Sequence, residues 1–354
     1  MKTKISPLII GDLEIKIPII LGGMGVQIST APLVSAVANC GAAGTIASVG
    51  LGSTANGSTA NFLEDSKKGL ELQIQKTREL TDGVIGVNIL VALSNYEDLV
   101  KTAVKNNVDY IASGAGLPLK LPEYVSNSTT KLIPIVSSAR AADIIVKSWK
   151  KRYDRFPDAF IVEGPLAGGH LGFNINELTG EKKILLEDLV VDVINVVKDY
   201  EINFNIKIPV IAAGGIFDAK DIAKFINLGA SGVQMATRFV ATLECDVPDS
   251  LKQMYVDSKE EDIVIINSPV GLPGRVLKTA LIDKNKLDTK SKIKCSYKCL
   301  RTCDIKTAPY CIADALLNTV KGNFDKSIVF CGHNVYRVKD IVSVRSLIDE
   351  LINF

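Results

Sequence analysis

The sequence predicts an α/β fold: a TIM (β/α)8 barrel followed by a C-terminal, mainly helical, cysteine-bearing extension. Three observations lead there. Short apolar runs rich in β-branched residues alternate eight times with helical stretches between Ile17 and Ala236, an even spacing that favours a closed barrel over a doubly wound sheet. The runs end in glycine, serine or a lone polar side chain, and strand C-termini are where barrel proteins keep their chemistry. The chain of 354 residues is long enough for one barrel with an appendage.

In order, Ile17-Pro-Ile-Ile-Leu21 reads as a strand ending in Gly22-Gly-Met-Gly25. Thr30 and Pro32 then open a helix that turns Leu33, Val34, Val37 and Ala38 inward. Ala43–Ala47 is the second strand, followed by a Gly/Ser/Thr/Asn loop from Gly50 to Asn61, long enough to carry function. A helix over Leu63–Glu79 leads to strand Ile85–Ile89, which holds Asn88 in an otherwise apolar run. Ser94-Asn-Tyr-Glu97 has the pattern of a capping box. Strands Tyr110–Ser113 and Ile133–Val136 follow, the latter ending in Ser137-Ser138 before a helix over Ala139–Lys150. Ala159–Val162 is the sixth strand and runs into Glu163-Gly-Pro-Leu-Ala-Gly-Gly-His170-Leu-Gly172. A helix bearing Leu185, Leu186, Leu189, Val193 and Val196 precedes the last two strands.

Those strands, Pro209–Ala213 and Gly232–Ala236, flank a helix capped by Asp218 and stopped by Gly229. Joined by one short helix, they must run parallel, so Gly214-Gly215 and Ala236-Thr237 emerge at one edge. Their backbone N–H groups can then converge on one anion, as in the phosphate site after the last two strands of a barrel. Gly-Gly as a mere tight turn, and Gln234 as ordinary barrel filling, are the structural alternatives.

Forty-one basic against 39 acidic residues give a net charge of +2, which offers no electrostatic footprint for nucleic acid or an anionic membrane. The N-terminal residues are broken by Pro7, Gly11, Asp12 and Glu14 and contain no signal-peptide core. No apolar run is long enough to cross a bilayer. With seven cysteines, an odd number, a reducing cytoplasm is the expected setting.

Of two histidines, His170 sits in a loop with glycine at 164, 168, 169 and 172. Such a loop is shaped to lie against a flat ligand, and an imidazole suits proton transfer near neutrality; a surface turn with an incidental histidine is the alternative. His333 falls in the extension and reads as structural. Glu163 is either satisfied by backbone N–H groups or accepts hydrogen bonds from ligand hydroxyls. Asn88 either bonds within the barrel or reads the donor–acceptor edge of a heterocycle. Cys295, Cys299, Cys303 and Cys311 are spaced C-x3-C-x3-C-x7-C, which matches no common metal-ligand pattern, so no metal is expected.

Gly169-His170, Ala213-Gly214-Gly215 and Val-Gln234-Met-Ala236-Thr237-Arg-Phe together resemble the nitronate monooxygenase (2-nitropropane dioxygenase-like) family of FMN-dependent barrels. The type-II FMN-dependent enoyl-acyl-carrier-protein reductases share the same loop. The resemblance runs from about Ile15 to Gly274 and includes Gly22–Gly25 and Gly271–Gly274. It implies FMN, with its phosphate on Gly214, Gly215, Ala236 and Thr237, beside Gln234. The flavin ring would lie near Gly22, Gly23, Met24 and Asn88, and the ribityl chain near Glu163. Gly168 and Gly169 would approach the reactive face, with His170 as acid–base residue.

The resemblance divides the chain into an FMN-binding barrel over 1–260 and an extension over 261–354 that packs on it and covers the active site. The implied activity is oxidation of alkyl nitronates with O2. An NAD(P)H-dependent enoyl-thioester reductase and a non-catalytic flavin-binding module are the alternatives. The expected partner is a small molecule, nitronate or enoyl thioester, with no nucleic acid, no membrane, and a homodimer left open. Ser137-Ser138 and the tail from Lys294 onward depart from the family pattern, and no role carries over to them.

Overall fold

The computed structural model describes residues 6–54, 61–126, 128–181, 183–285, 295 and 297–353. A hairpin, β1 (Leu8–Ile10) and β2 (Leu13–Ile15), precedes β3 (Ile19–Leu21). There follow β4 (Gly44–Ala47), β5 (Ile85–Leu90), β6 (Tyr110–Gly114), β7 (Lys131–Val136) and β8 (Phe160–Glu163). Next come β9 (Gly169–His170), β10 (Val210–Ala213), β11 (Gly232–Met235), β12 (Ile263–Asn267), β13 (Pro273–Leu277) and β14 (Val329–Phe330). The predicted eight strands are all present and pair in parallel in the order β3-β11-β10-β8-β7-β6-β5-β4. Ala43 donates its N–H to Ile19 O, and Leu21 donates to Ala43 O, which joins the first strand to the second and closes the ring.

Side-chain alternation divides the apolar residues between two cores. Ile20, Tyr110, Ala112, Ile133, Ile161, Ile211 and Ala213 fill the barrel, and Leu8, Ile10 and Ile15 of the hairpin plug its N-terminal end. The intervening Ile111, Leu132, Phe160, Val162, Val210 and Ala212 point out to the helices. Inside, the Tyr110 hydroxyl donates to Gly44 O at 2.9 Å, so the polar tip of a fully buried aromatic is satisfied.

The helices follow the apolar periodicity with local differences. Ala31–Asn39 buries Leu33, Val34, Val37 and Ala38 as expected. Phe62–Leu80 follows the loop of which residues 55–60 lie outside the described residues. The helix over Tyr96–Lys105 starts at Asn95, one residue after the expected Ser94, and has no side-chain cap; the Ser94 N–H donates to Cys299 O of the extension. Ala139–Tyr153 runs past Lys150 to a left-handed Asp154, and Ser138 caps it by accepting from Ala141 N. In Leu186–Phe204 the buried stripe is Leu186, Val190, Val193 and Val197; Leu185 is left exposed at the start. Ala219–Asn227 begins with a full capping box between Asp218 and Asp221, and Gly229 ends it at φ +101°.

The extension carries helices over Ile312–Val320 and Val344–Leu351 and a small antiparallel sheet, β12-β13-β14. That sheet takes its remaining strand from the barrel: β13 pairs with β9, Gly274 opposite His170 and Arg275 opposite Gly169. The loop after β8 is thus sewn to the extension, and its histidine is fixed by backbone register. No helix among the described residues is long and apolar enough to cross a membrane.

Candidate functional site

At the C-terminal end of the barrel lies a cavity of about 250 Å³. The residues expected to hold the cofactor or act beside it all border it: Gly22, Gly23 and Met24 after β3, Asn88 in β5, Glu163 at the end of β8, Gly168, Gly169 and His170, Gly214 and Gly215 after β10, and Gln234, Ala236 and Thr237 at β11. Parallel strands deliver these residues to one rim although they are spread over more than half the chain. Ser137 and Ser138 stay off the cavity wall, as does His333.

Two close approaches shape the wall. A Cβ on Gly23 would stand 2.3 Å from Asn88 Cβ, so only glycine lets β3 turn across the Asn88 side chain. Gly214 has φ +95° and its missing Cβ would fall 3.0 Å from both Ala167 N and Gly164 O, which packs the β10 turn against the histidine loop.

The turn after β10 and the end of β11 are braced from the extension. Gly332 donates its N–H to Thr237 Oγ1 at 2.9 Å, and Asn334 Nδ2 donates to Gly215 O at 2.6 Å. Arg337 pairs with Asp218 at 2.7 Å. Arg238 forms a two-pronged pair with Glu350 at 2.7 and 2.9 Å. Both guanidinium groups lie over the Phe217 ring, 4.7 and 4.2 Å from its centroid. Both cations are engaged by carboxylates, so an anion held here would be held by peptide amides rather than by a salt bridge.

Polar groups deeper in the cavity lack protein partners. Burial pushes the Glu163 carboxyl up to about 7. Gln234 Oε1 is buried and has no hydrogen-bond partner among the described residues. A buried acceptor without a donor costs free energy, and the two together mark where a ligand with hydroxyl or N–H groups would be welcome. The His170 ring is held down to about 4 by burial and is therefore neutral over the physiological range. Its Nε2 lies 2.7 Å from Ser268 Oγ, and its ring meets Phe330 edge-on at 4.9 Å.

Part of the lining is apolar: Phe62, Leu90 and Leu93 border the cavity from the barrel side, and Leu300, Ile312 and Leu316 from the extension. Cys299 also borders it, its thiol pushed up to about 12 by burial and then by Cys311 and Cys295. All seven cysteines are free, and among the described residues no group of three or more His, Cys, Asp or Glu is arranged to hold a metal ion.

Sequence reasoning missed Ser268, Phe330, Gly332 and Asn334. None belongs to a motif; Phe330, Gly332 and Asn334 reach the cavity, and Ser268 reaches His170, only because the extension folds back on the barrel. The one signal lay in Gly271-Leu-Pro-Gly274, which follows β12 and Ser268 and runs into β13, where Gly274 is the partner of His170.

A profile of nitronate monooxygenases matches the sequence over residues 6–120 and 94–353, nearly all of it. The chain belongs to the nitronate monooxygenase family. It is 31% identical over 267 residues to the (3aS,4S,5R,7aS)-5-hydroxy-7a-methyl-1-oxo-octahydro-1H-indene-4-carboxyl-CoA dehydrogenase of Mycobacterium tuberculosis, covering 75% of this chain and 64% of that protein. The match thus spans just under two thirds of that relative's length. A probable nitronate monooxygenase of Staphylococcus aureus is 28% identical over 310 residues, covering 77% and 78% of the two chains. Among solved structures, FabK from Thermotoga maritima superposes with a TM-score of 0.73 at 28% identity, over 96% of this chain and 92% of that one. Nitroalkane oxidase from Streptomyces ansochromogenes, at 18% identity, TM-score 0.70 and coverage of 95% and 94%, shares the fold.

Proposed function

We propose that this chain is an FMN-dependent oxidoreductase whose substrate is an alkyl nitronate, oxidised with O2. The observation that carries the reading is one cavity holding three things at once: a glycine-lined anion cradle, an unpartnered Gln234 Oε1 together with the desolvated Glu163 carboxyl, and a neutral imidazole at His170. These suit FMN in turn. Gly214, Gly215, Ala236 and Thr237 would hold the phosphate, Glu163 and Gln234 the ribityl hydroxyls, and Gly22, Gly23, Met24, Asn88, Gly168 and Gly169 the ring. The bound flavin would supply the electron-transfer chemistry that no side chain here provides.

The protein's own part is to orient the substrate and exclude water. A neutral imidazole of low basicity is a poor base toward a carbon acid but a good N–H donor to the oxygens of an anionic nitronate. His170 therefore serves in hydrogen-bonding an already formed nitronate. The test is His170→Ala, assayed on a nitronate and on its neutral nitroalkane with bound flavin quantified. Loss of a hydrogen bond to a charged group, ~1.5–3 kcal/mol, lowers turnover of both substrates about 10- to 100-fold with flavin retained. A loss confined to the neutral form would make His170 the proton-abstracting base. Unchanged turnover of both would remove His170 from the site.

The apolar part of the cavity lining favours a second reading, an NAD(P)H-dependent enoyl-thioester reductase, because a small nitronate leaves Ile312, Leu316 and Phe62 uncovered. Anaerobic rapid mixing decides between them: bleaching of the flavin by NADH or NADPH supports the reductase, and bleaching by nitronate alone the monooxygenase.

A further inference from the structure

Four consecutive residues of the extension, Cys331 to Asn334, each donate a hydrogen bond to a different element around the barrel's mouth. Cys331 N–H donates to Arg275 O in β13 at 3.2 Å, and His333 N–H to Leu166 O in the histidine loop at 3.1 Å. Gly332 N–H donates to Thr237 Oγ1 at 2.9 Å, and Asn334 Nδ2 to Gly215 O at 2.6 Å. Asn334 borders the cavity, as do Leu166, Gly215 and Thr237. The turn that Asn334 reaches is otherwise loose. Gly214 and Gly215 stand at φ +95° and +87° and have no side chain to anchor them, and glycine loses more conformational freedom on ordering than any other residue. Among the described residues the bond from Asn334 is the only hydrogen bond either glycine makes, and the N–H groups of both have no acceptor. A carbonyl oxygen only accepts, so the Asn334 amide must turn its nitrogen toward Gly215. Across the cradle, Thr237 Oγ1 accepts from Gly332, and its own hydrogen has no acceptor among the described residues.

We infer that Asn334 is a positioning residue for the flavin phosphate: it orders the Gly214-Gly215 turn in advance, so that the amides of the turn are set for the anion before it arrives. Gly332, two residues earlier, leaves the Thr237 hydroxyl with a hydrogen to give to the same group. The inference rests on the reading of this cradle as the phosphate site of FMN, and adds to it a segment that no barrel strand carries. Ordering the turn beforehand spares the ligand that entropy, so losing the Asn334 bond appears as weaker binding. The phosphate depends on it most, because charge-assisted hydrogen bonds need aligned donors. Riboflavin has no phosphate and makes no use of the cradle.

Fluorescence titration of the flavin-free protein with FMN and with riboflavin separates this role from general support of the fold. The wild-type protein should bind FMN more tightly than riboflavin. Asn334→Ala should raise the Kd for FMN about 10- to 100-fold, the scale of a misaligned hydrogen bond to a charged group, and leave the Kd for riboflavin unchanged. Asn334→Asp has nearly the same shape but sets an acceptor against the Gly215 carbonyl, so it should lose FMN at least as strongly. Riboflavin binding by each variant also reports that it is folded. Equal losses for FMN and riboflavin would make the segment a mere brace, and an FMN Kd unmoved in both variants would show the turn to be ordered without it; either result overturns the inference. A wild-type protein that binds riboflavin as tightly as FMN would instead sink the reading of the cradle, and the role of Asn334 with it.

Discussion

Replacing Glu163 by glutamine should stabilise the flavin-free protein and weaken its hold on the flavin, in opposite directions from one atom. The carboxyl sits in the cavity wall with burial as the sole cause of its raised pKa, so the folded chain keeps it protonated where the unfolded chain ionises it. A raised carboxylate pKa gives stability that is complete below the unfolded value of 4.5 and is lost as pH climbs through about 7. At ~1.4 kcal/mol per pH unit, the interval from 4.5 to about 7 amounts to ~3 kcal/mol. Water reaching the cavity screens part of this, so Glu163→Gln should gain ~1–3 kcal/mol near pH 8 and nothing near pH 4.5. Urea unfolding of the flavin-free proteins across that range measures the difference at each pH. A gain that stays flat from acid to alkali would show that ionisation of Glu163 carries no cost in the fold. Flavin affinity, read by fluorescence titration near pH 8, should fall because an amide is a weaker acceptor for hydroxyl donors than a carboxylate.

Two further substitutions probe the cradle. Gly214→Ala forces an alanine to φ +95° with its Cβ 3.0 Å from backbone atoms of the histidine loop. At ~1–2 kcal/mol for the left-handed backbone, Tm should drop by about 2–5 °C and flavin should bind more weakly; an unchanged Tm would mean the turn relaxes freely. Asp218→Ala removes the cap on Asp221 N and the partner of Arg337. Chemical unfolding should show a loss of ~1–2 kcal/mol, and a loss well below that would show the capping box to be dispensable.

The barrel was legible because its signals are local. β-branched runs ending in glycine, the Asp218 cap and the alternation of Ile111/Ala112 or Phe160/Ile161 between two cores depend on near neighbours and on a period of two. The inner rim was legible for the same reason: once eight parallel strands close, their C-terminal residues must share one mouth. So Asn88, Glu163, Gly214 and Thr237 could be grouped without knowing any distance between them.

What the sequence could not determine is everything that arrives from far along the chain. Ser94 reads as a helix cap, yet its N–H is claimed by Cys299, more than two hundred residues away. Ser268 looks like an ordinary polar residue until β13 pairs with β9 and its hydroxyl comes within 2.7 Å of His170 Nε2. The residue types in the cavity were therefore set by local pattern, and the protonation states of Glu163 and His170 only by tertiary packing, because desolvation belongs to the folded surroundings and not to the residue.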